Sequence, residues 1–382
     1  YFGGGYSPNK STVDRIDYSN DTATAAVKGP LSLARYSFGA TGNASFGYFA
    51  GGYPGPYSTV DRIDYYNDTA TAVAKGPLSV VRYTQAATGN ASFGYFGGGY
   101  VSGVISSVDR IDYSNDTATA VAKGPLSLAR RGLGATGNAS FGYFGGGYTP
   151  SYLSTVDRID YSNDTATASP KGPLSVGRTK LAATGNSSFG YFGAAQGPSN
   201  ISTVDRIDYS SDTGTTPAKG PLSSARRYLG ATGNASFGYF GGGNPSAVST
   251  VDCLDYSNDT AAATVKGPLS AAKYSLAASS SRANAITDLT VFPALSSVRE
   301  NVVPQGSDFG YFGGGVGPGL PSPNISTVDR IDYSNDTATA VAKGPLGVAR
   351  KKLAATGNGS FGYFGGGGSP NISTVDRIDY SN

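Results

Sequence analysis

The chain has 382 residues and a formal charge of +3, from 29 Lys and Arg against 26 Asp and Glu, too small an excess to imply a nucleic-acid or anionic-membrane partner. Only 14% of residues are charged and 38% are hydrophobic, so Ser, Thr, Asn, Tyr and Gly must build most of the surface. There is no histidine, which removes the usual general base, the Ser–His and Cys–His nucleophile pairs and the commonest metal ligand, and the single cysteine, Cys253, can form neither an internal disulfide nor a zinc site.

The first element is YFGGG at Tyr1–Gly5. Two aromatics followed by glycines look like a phosphate-cradling loop, but the element returns at Tyr95, Tyr143, Tyr239, Tyr311 and Tyr363, with altered copies at Tyr48 and Tyr191. Such repetition is architecture, and a period of about 48 residues decides the fold before any motif does. After each YFGGG comes a loop that differs between units. STVDRIDY then reads as a strand, with Thr12, Asp14, Ile16 and Tyr18 on one face and Val13, Arg15 and Asp17 on the other. SND at Ser19–Asp21 is turn chemistry. TATAAVK at Thr22–Lys28 reads as a further short strand, and KGPLS ends the sheet because Pro30 lacks a backbone donor. The stretch LAATGNSSFGYFG at Leu181–Gly193 reads as two strands around a Gly-Asn turn. Four short strands per repeat are the signature of a propeller blade, in which glycine allows close backbone approach.

These units resemble the kelch-repeat family. The resemblance is carried by Arg35, by FGATGNASFGYFAGG at Phe38–Gly52 and by STVDRIDYYNDTATA at Ser58–Ala72, and it covers nearly the whole chain. One departure is clear: the family's Trp position is held by Ala23, Ala70, Ala118 and their equivalents, so blades must pack there through smaller groups. The array of YFGGG and STVDRIDY motifs is also similar to repeat proteins predicted in the virions of aquatic bacteriophages. The expected fold is therefore an all-β, kelch-like β-propeller of four-stranded blades. Units start near 1, 48, 95, 143, 191, 239, 311 and 363, so a closed ring of eight blades spanning 1–382 is expected, with seven blades or an open spiral as alternatives. The chain begins and ends inside the pattern and has no signal-peptide pattern, so a segment of a longer protein is expected. The one non-repetitive segment, 285–308, is an insertion whose Val291, Phe292 and Leu295 suit either a docking element or a loop packed on its own propeller.

Candidate chemistry is sparse. GNGSFG at Gly357–Gly362 matches a dinucleotide fingerprint, but a strand rather than a helix follows it. Asp17, Ser19 and Asp21 place oxygens as the first half of a calcium loop would, yet no acidic residue follows at the bidentate position and a structural turn uses the same residues. No cofactor is expected. The arginines of VDRID, at Arg15, Arg62, Arg110, Arg158, Arg206, Arg330 and Arg377, are expected to form Arg–Asp ladders between blades. Cys253 replaces that arginine in one unit and reads as a buried thiol. Asn-x-Ser/Thr triplets such as Asn43 and Asn90 are glycan acceptors in a secreted eukaryotic protein and turn residues otherwise. The variable loops carry Tyr53, Tyr57, Tyr100, Tyr148 and Tyr152 and are expected on one face, where rigid aromatics suit carbohydrate or protein surfaces. The expected function is a non-enzymatic structural and adhesive module, extracellular or on a virion surface, such as part of a tail fibre. Its partners would be other structural subunits and host-surface glycans, within a larger assembly, with no nucleic acid and no membrane insertion. A cell-surface glycan-binding propeller of a bacterium or alga is the first alternative and an enzyme the second.

Overall fold

Each repeat is organised by the hairpin around its Gly-Asn turn. Asn43 Oδ1 accepts from the backbone N–H of both Ser45 and Phe46, at 2.9 Å each, which folds Gly39–Gly42 back onto Phe46–Ala50. The second strand then pairs with Val60–Asp64 and this with Val73–Lys75, all antiparallel. The Asn of each later turn does the same work at Asn90, Asn138, Asn186 and Asn234. The computed structural model describes residues 1–280 without a break and, beyond them, 309–316, 324–332, 341–343, 345–349, 351, 354–357, 361–365 and 373–379.

The chain divides into two compact units, Tyr1–Thr290 and Val291–Asn382. The first is a β-propeller of six four-stranded antiparallel blades, of kelch-like architecture in general. Blade II is the sheet just given. Blades III, IV, V and VI have inner strands Ala86–Gly89, Gly134–Gly137, Ala182–Gly185 and Gly230–Gly233. Blade I is made from both ends of the unit: Ala277–Ala278 is its inner strand, followed by Phe2–Gly3, Val13–Arg15 and Ala26–Lys28. Inner strands neighbour one another all the way round, with Ala277–Ala278 between those of blades VI and II.

The expected ring of eight blades, and its alternative of seven, is thereby corrected to six. The physical reason lies at Ser279–Ser280. In the other repeats the inner strand runs through Thr-Gly-Asn into its own YFGGG strand. Here the turn is lost, the inner strand has no hairpin partner, and Phe2↔Ala278 pairing closes the circle instead. Tyr1 N donates to Ser279 O at 2.9 Å and Tyr65 shares a 2.5 Å hydrogen bond with Ser279 Oγ at the same seam. The repeats opening at Tyr311 and Tyr363 belong to the second unit. There Phe309–Val316, Asn324–Asp332 and Val341–Lys343 form one sheet and Ala354–Gly357, Phe361–Gly365 and Val375–Asp379 another. Val291, Phe292 and Leu295 lie outside the described residues.

Six apolar clusters fill the ring, one at each blade interface. The YFGGG element is built for those interfaces. Its Phe is fully buried and lies against the first glycine of the preceding blade, as Phe144 does on Gly97 and, across the closure, Phe2 on Gly241, where a Cβ would collide with the ring. Its Tyr reaches into the next blade. Tyr48 stacks on Tyr113, with centroids 4.7 Å apart, and donates to Asp116 Oδ2 at 2.9 Å. Arg62 and Lys75 reach the same carboxylate at 2.7 and 3.1 Å. So one aspartate of the SND turn collects a tyrosine, an arginine and a lysine of the preceding blade. This recurs at Asp68, Asp164, Asp212 and Asp259. At the VI–I interface Cys253 stands in the arginine's place, and Asp21 has Tyr239 and Lys266 alone from this set. The alanine that departs from the kelch pattern also sits at the seam. Gly29 of blade I lies so close to Ala70 of blade II that a Cβ would overlap the Ala70 carbonyl, and Gly29 N donates to Asp68 O at 2.8 Å.

Three outcomes follow from this interface. Asp116→Ala strands an arginine and a lysine and should cost about 3 kcal/mol in denaturant unfolding, monitored by tyrosine fluorescence. Cys253→Arg should restore the missing contact to Asp21 and raise stability by about 0.5–1 kcal/mol in the same assay. Burial raises the carboxyl pKa of Asp68, Asp116, Asp164 and Asp259, but the Tyr, Lys and Arg contacts outweigh it and hold all four below the ordinary value. The unfolded chain then binds more protons than the folded one in acid. Thermal melts should show stability retained above about pH 4 and lost steeply as pH falls below it, through the lowered folded-state values.

Candidate functional site

The site grows out of the residues that lead into each inner strand. Arg35 is fully buried inside blade II, where it donates to the carbonyls of Phe49, Gly51 and Thr59 at 2.8–3.0 Å and pairs with Asp61 at 3.1 Å. Arg82, Arg130, Arg178 and Arg226 do likewise in their blades, and Lys273 does so in blade I. With that residue fixed, the next two emerge at the axis. The first pairs with the residue after the glycines: Tyr36 with Tyr53, Tyr83 with Tyr100, Arg131 with Tyr148 and Thr179 with Gln196.

The second residue carries the unusual conformation. Ser37, Thr84, Gly132, Lys180, Tyr228 and Ser275 all have φ between +56° and +65°. Five of the six are not glycine, and left-handed backbone costs an ordinary residue roughly 1–2 kcal/mol. What holds them is a closed collar. Ser37 N donates to Ser275 O, Thr84 N to Ser37 O, Gly132 N to Thr84 O, Lys180 N to Gly132 O, Tyr228 N to Lys180 O and Ser275 N to Tyr228 O, at 2.6–2.9 Å. Each blade thus gives one link to a circle of six backbone hydrogen bonds around the axis.

Above the collar lies an open cup of about 480 Å³. Tyrosine is the commonest residue of its wall. Rings pass from Tyr274 to Tyr6, Tyr36, Tyr53, Tyr83 and Tyr100 with centroid separations of 5.0–5.5 Å. The guanidinium of Arg131 lies over Tyr100 and Tyr148, at 5.0 and 5.7 Å, and Tyr148 packs edge-on against Tyr152. On the remaining side Lys180 Nζ donates to Gln196 Oε1 at 2.7 Å and sits 4.7 Å over Tyr228, beside Arg227. Burial, then Arg227 and Arg131, hold the Lys180 ammonium below its ordinary pKa.

Of the loop tyrosines singled out from the sequence, Tyr53, Tyr148 and Tyr152 line the cup and Tyr100 buttresses it. Tyr57 serves the loop backbone: its N–H donates to Gly52 O and its carbonyl accepts from Arg82 N. Sequence reading missed Tyr36, Tyr83, Arg131, Lys180 and Tyr228. The signal was present. After the buried Arg or Lys, otherwise near-identical repeats read YS, YT, RG, TK, RY and YS. Arg15, Arg62, Arg110, Arg158 and Arg206 lie away from the cup, at the blade interfaces; Arg330 and Arg377 are in strands of the second unit. The five arginines in the ring are answered by turn aspartates of the next blade rather than by the carboxylates flanking them in VDRID. Asp17 Oδ1 accepts from Ser19 N and Oγ, whereas Asp21 is held by Lys266 and Tyr239. Cys253 is buried, and burial pushes its thiol up to about 11. Among the described residues no three His, Cys, Asp or Glu side chains gather as a metal site would require, and no helix is long and apolar enough to cross a membrane.

Comparison with protein-family models and with curated proteins finds no match to this sequence.

Adjacent arginines separate framework from site. Arg130→Ala leaves Asp157 buried without its charge partner and should cost about 3–5 kcal/mol. Arg131→Ala touches nothing in the framework and should change stability by less than about 0.5 kcal/mol. Chemical denaturation of the two variants checks the contrast.

Proposed function

We propose that the six-bladed ring is a non-enzymatic adhesive module that holds its partner in the axial cup and on the loops around it. The observation that carries this reading is the partition of the sequence. One set of interface contacts is stamped out around the ring, while the residues that differ between repeats gather at one mouth. Binding and catalytic residues tend to sit on such variable segments, positioned by a rigid scaffold. The wall favours adhesion over turnover: its polar side chains are phenols, the hydroxyls of Ser37, Thr84 and Thr179, one guanidinium, one ammonium and an amide, with no carboxylate or imidazole among the described lining residues.

The setting we propose is an extracellular assembly, with a virion appendage such as a tail fibre foremost. Its support is the resemblance of the YFGGG and STVDRIDY repeats to predicted phage virion proteins. A glycan-binding propeller on the surface of a bacterium or alga is the second reading. The tyrosine wall favours it, because rigid rings bury area at low entropic cost and phenol hydroxyls match sugar hydroxyls.

The test is retention of the intact chain on a broad glycan array, followed by chemical analysis of the retained ligand. Binding should fall at least about tenfold in Tyr53→Ala/Tyr83→Ala/Tyr148→Ala, and the ligand should return unchanged. Binding that survives this triple variant, or a ligand recovered cleaved or modified, would overturn the proposal.

A further inference from the structure

We infer that the cup recognises a carboxylated saccharide, a pyranose of the uronic-acid or sialic-acid type, with Arg131 and Lys180 receiving the carboxylate and the tyrosine wall receiving the sugar faces. This rests on the adhesive reading above and gives it a ligand class.

Charge is unevenly matched around the ring. Among the described residues of the ring, every Lys and Arg lies within ion-pair distance of a carboxylate except Lys10, Arg131, Lys180 and Arg227. Two of these four, Arg131 and Lys180, line one side of the cup, and Arg227 stands behind them over Tyr228. A chain so sparing of charge, with its framework cations matched to acids, gathers here three that repel one another. An anion in the cup would relieve the repulsion, and the planar guanidinium of Arg131, steadied over Tyr100 and Tyr148, matches a carboxylate with two parallel hydrogen bonds.

The rest of the wall suits a sugar. Opposite the cations the lining is Tyr36, Tyr53 and Tyr83, flat faces tipped with hydroxyls. A pyranose has one C–H face that packs on an aromatic ring and a rim of hydroxyls for phenols and for Gln196. A volume near 480 Å³ is at the small end of ligand pockets and admits on the order of two sugar rings. The floor disfavours a peptide. An acidic peptide would bring amide N–H and C=O groups that need partners. The collar N–H groups are already spent on one another, so the floor offers no main-chain ladder to a peptide.

The experiment is calorimetric titration of the intact chain with trigalacturonate, a mannuronate trisaccharide and sialyllactose, each beside its carboxyl-methyl-ester form, and with hexaglutamate. At least one acid should bind about tenfold or more tighter than its own ester, with affinity falling as salt rises. Arg131→Ala/Lys180→Ala should erase that preference while the melting temperature stays within about two degrees of the parent. Tyr83→Ala should weaken acid and ester alike. Equal binding of acid and ester would overturn the inference while the adhesive reading stands, because a saccharide still binds through the cup. Tighter binding of hexaglutamate than of any saccharide would replace the sugar by an acidic peptide. No binding of any probe would also overturn it, and the adhesive reading would then be judged separately by the array and the triple tyrosine variant.

Discussion

Each blade is fixed to its neighbour by one carboxylate that faces three donors. The SND aspartate is nearly shut off from water, and a buried carboxylate without partners would destabilise the fold by several kcal/mol. Tyrosine, arginine and lysine arrive from three different strands of the preceding blade, so their convergence on Asp116 specifies both the distance and the tilt between two sheets. The stacked tyrosine pair and the glycine that admits the neighbouring Phe enforce the same geometry through packing. A contact set repeated with little change imposes a nearly constant angle per blade, and a constant angle is what brings a chain of sheets back to its start.

That constraint also explains where variation is tolerated. Each framework residue bonds across one seam, as Tyr48 does toward the next blade and Asp68 toward the preceding one, so a substitution there disturbs two blades. Of the two residues after the buried arginine, the first bridges to the residue after the glycines and the second gives its backbone to the collar, while side chains of both line the cup. Their side chains can differ blade by blade, as Tyr83, Arg131 and Thr179 do, without changing a framework contact. The cup is asymmetric in charge for this reason, although the scaffold beneath it is close to six-fold.

Much of the architecture was legible in the residues. The Gly-Asn hairpins, the strand at VDRID, the turn at SND and the clustering of loops near one mouth all follow from local rules acting over a few residues. Blade number was not legible by counting repeats, since closure depends on a pairing between Phe2–Gly3 and Ala277–Ala278 that no local rule encodes. A clue existed in the loss of the Thr-Gly-Asn turn after Ala278, because an inner strand without its hairpin is free to pair elsewhere. The ion pairs were half legible. Arginine and aspartate were recognisable as a set, but which aspartate answers which arginine is a matter of blade-to-blade geometry. The cup residues were hidden for a different reason: a period shows itself through the positions that repeat, and these are the positions that do not.

The amide circle at the base of the cup has an electrostatic corollary. Six N–H to O=C bonds running head to tail around a closed path form a loop of dipoles whose in-plane components cancel, unlike the aligned amides of a helix, which leave charge at both ends. The amides at the bottom of the bowl consequently leave no anion-seeking cluster of bare N–H groups such as phosphate loops provide. On the adhesive reading, selectivity rests with the side chains that stand on this base, and a new specificity could be written by exchanging them while the base stays as it is.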